Sequence, residues 1–210
     1  MIGVTVFMSR DHLMAALHFA RQCYSVEARS IGTGHSEEHR SYVIGSVLSA
    51  VAFLEATVNE IFVEPRLFAM SPELQRIFRK LWDCDLANSS VLVKYEIALL
   101  LKGAPEFARG QQPFQDVDLV IKLRNALVHY KPEWQPLEQP QRMEKLLRNK
   151  FTLNPLAGND DVFFPGKCLS YGCAKWAVRS VLAFGNEFFK RFGMPQYFGG
   201  VEKGPTIDLP

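Results

Sequence analysis

The sequence is short of several things, and each shortage closes off a class of protein. Net charge is only +2 in 210 residues, so no excess of one sign advertises a nucleic-acid surface, and any RNA site has to come from local clustering. Cys23, Cys84, Cys168 and Cys173 are the only cysteines, too scattered for a disulfide framework in a chain this long, and reduced thiols are expected. Met1–Phe7 has no basic stretch ahead of a long apolar core, so no secretory signal is expected. Apolar runs fall short of the ~18 uninterrupted residues of a membrane span. The greasiest segment, Val43–Phe62, is broken by Ser46, Ser49, Glu55, Asn59 and Glu60. A cytoplasmic protein with no membrane contact is the resulting expectation. There is no internal repeat, no convincing β-hairpin and no phosphate-cradling loop, because Gly32-Thr33-Gly34 lacks both the following glycine and the preceding strand.

What is present suits one globular domain: 48% hydrophobic and 22% charged residues, with helical periodicity throughout. Ser9 is a plausible cap for a first helix over about 11–28, and 31–38 reads as a loop. A second helix is expected from near Ser41 to about Val63, before Pro65. Ser71-Pro72-Glu73-Leu74 joins a capping hydroxyl, a proline at the first helical position and an acidic first turn, so a third helix should run to near Trp82. Ser89 or Ser90 opens a fourth, stopped at Lys102-Gly103. Pro113 starts a fifth, closed after Tyr130 by Pro132. The last spans about Ser170–Phe192, with Gly193 and Pro195 as its stop. The expectation is all-α: a bundle of about five to six helices in one domain over 1–197. An irregular insertion at about 131–169 carries a short helix near 141–150, and a mobile Gly- and Pro-rich tail covers 198–210.

Two helices carry the chemistry. At ~100° per residue, Gln115, Asp118, Lys122, Asn125 and His129 form a polar stripe on the fifth helix. Arg124 sits instead in the apolar arc, among Val117, Val120, Leu127 and Val128. On the second helix Glu55 lies inside a wide apolar face, between the lines of Ile44 and Leu48. An unpaired buried charge costs several kcal/mol, so the economical reading pairs Glu55 with Arg124 across the helix interface. A purely structural ion pair fits the same wheel, and so does an arginine snorkelling to solvent.

The segment Leu123-Arg124-Asn125-Ala126-Leu127-Val128-His129 resembles the signature of HEPN domains, an Arg followed after four to six residues by His, with a polar residue directly after the Arg. Phe53-Leu54-Glu55-Ala56 resembles that family's second helix with its site-facing polar residue. Toxin-type members often have a tyrosine two residues after the histidine; that place is Lys131 here, with Tyr130 one position early. The resemblance implies an HEPN-like bundle and a metal-independent endoribonuclease of the toxin or antiviral-defence type, acting as a homodimer on single-stranded RNA, with no cofactor or metal. An antitoxin or nucleotidyltransferase-like partner is also implied. In that reading His129 moves a proton to or from the ribose, Arg124 holds the scissile phosphate, Asn125 orients the imidazole and Glu55 steadies Arg124. Arg124 and His129 are roughly 140° apart on a regular helix. A loosened last turn before Pro132 could bring them together, or two subunits could pool them in one groove. The resemblance implies the second, a symmetric dimer with both motifs lining a shared cleft. Lys122, Lys131, Arg142, Lys145 and Arg148 are the candidate contacts to the RNA backbone, although such a run is more often a solvated face. The alternative is a non-catalytic HEPN-like module that binds RNA or nucleotide, or scaffolds a partner. A plain dimeric helical protein of unrelated ancestry is a third.

Other signals point to structure. His35-Ser36-Glu37-Glu38-His39 has the spacing of an inverted zinc peptidase but falls in the expected loop. Cys168 and Cys173 lack two further ligands nearby in the sequence and are expected to be core thiols. His12 and His18 are expected as surface or capping groups, and Trp176, Phe184, Phe188 and Phe189 as core or subunit interface.

Overall fold

Turn chemistry and apolar periodicity divide the chain into seven α-helices among the residues described by a computed structural model, which are 4–30, 37–132, 140–195, 197 and 209. They are α1 (Ser9–Ser30), α2 (Glu37–Val63), α3 (Pro72–Asp83), α4 (Val91–Lys102), α5 (Phe114–Val128), α6 (Arg142–Leu147) and α7 (Tyr171–Arg191). No strand occurs among the described residues, and the protein is an all-α bundle. Six of them are the expected bundle helices, and α6 is the short helix expected within the insertion. Of the tail 198–210 only Leu209 is described, and it is buried.

The local signals work where they are self-contained. The Ser71 hydroxyl accepts from the Leu74 backbone N–H at 3.3 Å, and Pro72 occupies the first position of α3. Gly103 closes α4 at φ +64°, a left-handed conformation that costs glycine little. Helix α1 differs from expectation: it begins at Ser9, and its cap comes from 51 residues away. The Glu60 carboxylate accepts the backbone N–H groups of Met8 and Ser9 at 2.9 and 2.8 Å and the Ser9 hydroxyl at 2.7 Å. A carboxylate there satisfies orphan donors and complements the helix dipole.

Helix α2 is the axis of the bundle, packing against α1, α7, α5, α3 and α4. By length and composition alone it could cross a membrane, yet half of its apolar window is buried within the bundle. Gly45 lets α1 come close, since a Cβ there would lie 2.9 Å from the Phe19 ring. The Ser46 hydroxyl, fully buried, donates to the Ala16 carbonyl at 2.9 Å. Between α2, α4 and α7 the core is aromatic. Tyr95 donates to the Leu54 carbonyl at 2.8 Å and meets Phe184 and Phe188 edge-on at 5.0 and 4.7 Å.

The insertion is tied to the bundle rather than draped over it. The Gln141 side chain, just ahead of α6, accepts from Phe164 N at 2.5 Å and donates to Phe164 O at 3.1 Å. Lys150 reaches Asp116 on α5 at 2.7 Å. The first pair ties the start of α6 to the turn at Phe163–Lys167, and the Lys150 bond fastens the chain after α6 to the first turn of α5. The part of the insertion at 133–139 lies outside the described residues.

Candidate functional site

The expected ion pair exists. Arg124 Nη2 on α5 lies 3.3 Å from Glu55 Oε2 on α2, and Arg124 Nη1 donates to Asn125 Oδ1 at 3.0 Å. It is wetter than the helical wheel implied, because the side chains keep 28% and 42% of their exposure. The apolar arc of α5 is wider than the surface it buries: Val117, Val120 and Leu123 are in the core, while Val128 at its end is 52% exposed. Arg124 therefore lies at the edge of the helix contact.

The sequence pattern missed a third charge. Lys94 on α4 is almost fully buried, donates to Asn59 Oδ1 at 2.9 Å and sits 5.2 Å from the centre of the Trp82 ring. Burial pushes the Lys94 ammonium below its usual range, and the attraction of Glu55 acts against that. Glu55 thus answers two cations, one dry and one wet. Asn59 stands one turn after Glu55 on α2, a spacing that could have flagged the polar seam.

His129 lies elsewhere. Helix α5 ends at Val128, two residues before the expected end, and His129 follows as its cap at φ −104°, its N–H bonded to the Asn125 carbonyl at 2.9 Å. The imidazole is exposed and has no hydrogen-bond partner among the described residues. No hydrogen bond joins the Asn125 side chain to that ring among the described residues, and the Asn125 amide oxygen accepts from Arg124 instead.

The imidazole opens onto a groove of about 700 Å³, whose wall also holds Asn125, Tyr130, Lys122, Lys131, Arg142 and Phe164. Neither Arg124 nor Glu55 lines it, so within one chain Arg124 and His129 do not share a cleft. Asn125 is the link, touching Arg124 with its side chain and the groove with its surface. Of the candidate cations, Lys122 lines the groove but is held by Asp118 at 2.6 Å. Lys131 and Arg142 line it with no carboxylate partner among the described residues. Lys145 and Arg148 do not line it, and Arg148 is bound to Glu144 at 2.7 Å. Tyr130 is half exposed, with its ring 6.0 Å from that of Phe164. The arrangement offers an imidazole, two cations with no carboxylate partner among the described residues and an exposed ring along one concave surface, a set suited to an anion joined to an aromatic base.

Comparison of the chain with protein-family models, with curated proteins and with solved structures finds no match. The HEPN resemblance therefore stands on the residues alone.

Proposed function

We propose that this protein is a metal-independent endoribonuclease of the HEPN type, of the toxin or phage-defence kind, acting in the cytoplasm as a homodimer on single-stranded RNA. The observation that carries the reading is His129, exposed at the end of α5 on a groove with Lys131, Arg142 and Tyr130. Phosphate oxygens would meet the two cations and a base would stack on Tyr130. The imidazole would take the proton from a ribose 2′-OH as that oxygen bonds to phosphorus. The bond to the 5′ oxygen then breaks, and the leaving oxygen is protonated in turn. Arg124 is one residue from the groove wall and held by Glu55 and Asn125. A second copy packed along the end of α5 would bring its own Arg124 to the phosphate, and there the guanidinium would stabilise the developing charge. An antitoxin-like or nucleotidyltransferase-like protein remains the proposed regulator.

One observation favours the second reading, a non-catalytic module that binds RNA or nucleotide or scaffolds a partner: the groove of a single chain lacks Arg124. The deciding experiment incubates purified protein with single-stranded RNA in EDTA while circular dichroism follows the fold. Cleavage by folded, chelated protein, lost in His129→Ala and Arg124→Ala, supports the nuclease. Binding without cleavage by a protein shown to be dimeric supports the module. Light scattering that finds a monomer at micromolar concentration removes the shared cleft.

A further inference from the structure

We propose that Cys23, Glu27 and His39 form a zinc-binding site that ties α1, α2 and the start of α7 together. The proposal uses none of the groove residues and stands or falls apart from the ribonuclease reading. Cys23 and Glu27 are four residues apart on α1 and so share a face. His39 comes from the first turn of α2, which starts at Glu37 and not near Ser41. This places His39 on a helix where a loop was expected, while His35 and Ser36 of the same pentapeptide lie outside the described residues. The thiol sulfur, a carboxylate oxygen and an imidazole nitrogen all lie within 4.8 Å of one another.

The donor set and its surroundings both suit zinc. One sulfur, one nitrogen and one oxygen match a borderline ion, whereas calcium and magnesium take oxygen shells. Zinc bonds of 2.0–2.3 Å keep tetrahedral ligands about 3.3–3.7 Å apart. His39 Nε2 and Glu27 Oε1, now 2.7 Å apart, would separate by about 0.6 Å, or Glu27 would turn its other oxygen to the ion. The carboxylate is already aimed: the N–H of Tyr171, first residue of α7, donates to Glu27 Oε1 at 2.5 Å. A backbone donor fixing a ligand carboxylate is the usual outer-shell arrangement. Cys23 is fully buried and His39 nearly so, which removes water as a competitor for the site.

A bare thiol beside a buried carboxylate is an awkward neighbour. Burial and the Glu27 charge push the Cys23 thiol far above its usual range, and a divalent ion reverses that by binding the thiolate and releasing its proton. Three protein ligands leave the fourth tetrahedral position for one water carried in with the ion. Cys168 and Cys173 are themselves fully buried free thiols, as expected of core cysteines.

The test is cobalt and zinc titration of the full chain after stripping with a chelator and dialysis. The expected result is one equivalent of cobalt giving an intense tetrahedral visible spectrum with a thiolate-to-cobalt charge-transfer band, both displaced by zinc. Cys23→Ser should remove the charge-transfer band. His39→Gln should weaken zinc binding by more than the roughly 10–100-fold typical of losing an outer-shell partner. Cys84→Ser, altering an exposed thiol, should change neither. Wild-type protein that takes up no cobalt overturns the proposal without any variant, and a charge-transfer band that survives in Cys23→Ser overturns it equally.

Discussion

The protein holds two imidazoles in contrasting settings. His129 ends α5 in water on a groove with Lys131 and Arg142, and among the described residues neither the imidazole nor these two cations has a side-chain partner. His39 is nearly buried at the start of α2, 2.7 Å from a carboxylate that also caps the first N–H of α7. An exposed ring keeps both nitrogens available to a substrate and contributes little to folding. A buried ring bonded to a carboxylate fixes the meeting of helices and is committed to that partner or to a metal. One residue type therefore serves two purposes, separated by burial rather than by local sequence.

The contrast breaks most visibly at the groove. His129→Ala should reduce RNA cleavage by about 10²–10⁴-fold, the usual worth of a general acid–base group, with no change in thermal midpoint; an unfolded variant would erase the distinction. Arg124→Ala should also abolish cleavage while costing less than about 1 kcal/mol in denaturant unfolding, because its partially exposed pair with Glu55 is a weak stabiliser. His39→Gln should show the reverse in metal-stripped protein. It removes the imidazole bond from the mostly buried Glu27, which keeps the Tyr171 N–H, so it should cost about 1–3 kcal/mol of stability and leave the cleavage rate per folded molecule unchanged.

Smaller effects sharpen the picture. Lys131→Ala and Arg142→Ala should each weaken RNA binding evenly across sequences and lower the salt slope by about one, as read by fluorescence anisotropy at several ionic strengths. Arg148→Ala should do neither, since that guanidinium is taken by Glu144 away from the groove. At acid pH the insertion should loosen first at its Asp116 anchor. Burial would raise this carboxyl, but the hydrogen bond and charge of Lys150 prevail and hold it below its usual value. Its stabilisation is therefore complete above the unfolded pKa and is lost only as pH falls through the lower folded value. Hydrogen exchange of residues 142–150, followed down a pH series, would show whether they open before α2.

Legibility followed the range of the interaction. Ser71-Pro72 and Gly103 set helix ends through bonds within four residues, so their places could be read directly. The Glu55–Arg124 pair was also legible, because two lone charges in apolar faces must find each other or water. Its wetness was not, since a wheel shows which face is apolar and not how far a neighbour covers it; Val128 at 52% exposure marks where cover ends. Asn59 and Glu60 showed as breaks in an apolar run, but their partners Lys94 and Ser9 did not, since these lie 35 and 51 residues away in the chain.

By itself the sequence determined that the chain is helical, where most of its helices stop and which charges interrupt their apolar faces, because all of these depend on neighbours within a turn or two. Tertiary structure alone decided which of those charges meet. It turned His129 and Arg124 to separate surfaces, folded the insertion into a groove wall and gathered Cys23, Glu27 and His39 from two helices beside a third. The physical reason is that burial and juxtaposition depend on how helices cross, and a crossing is set by the whole packed core.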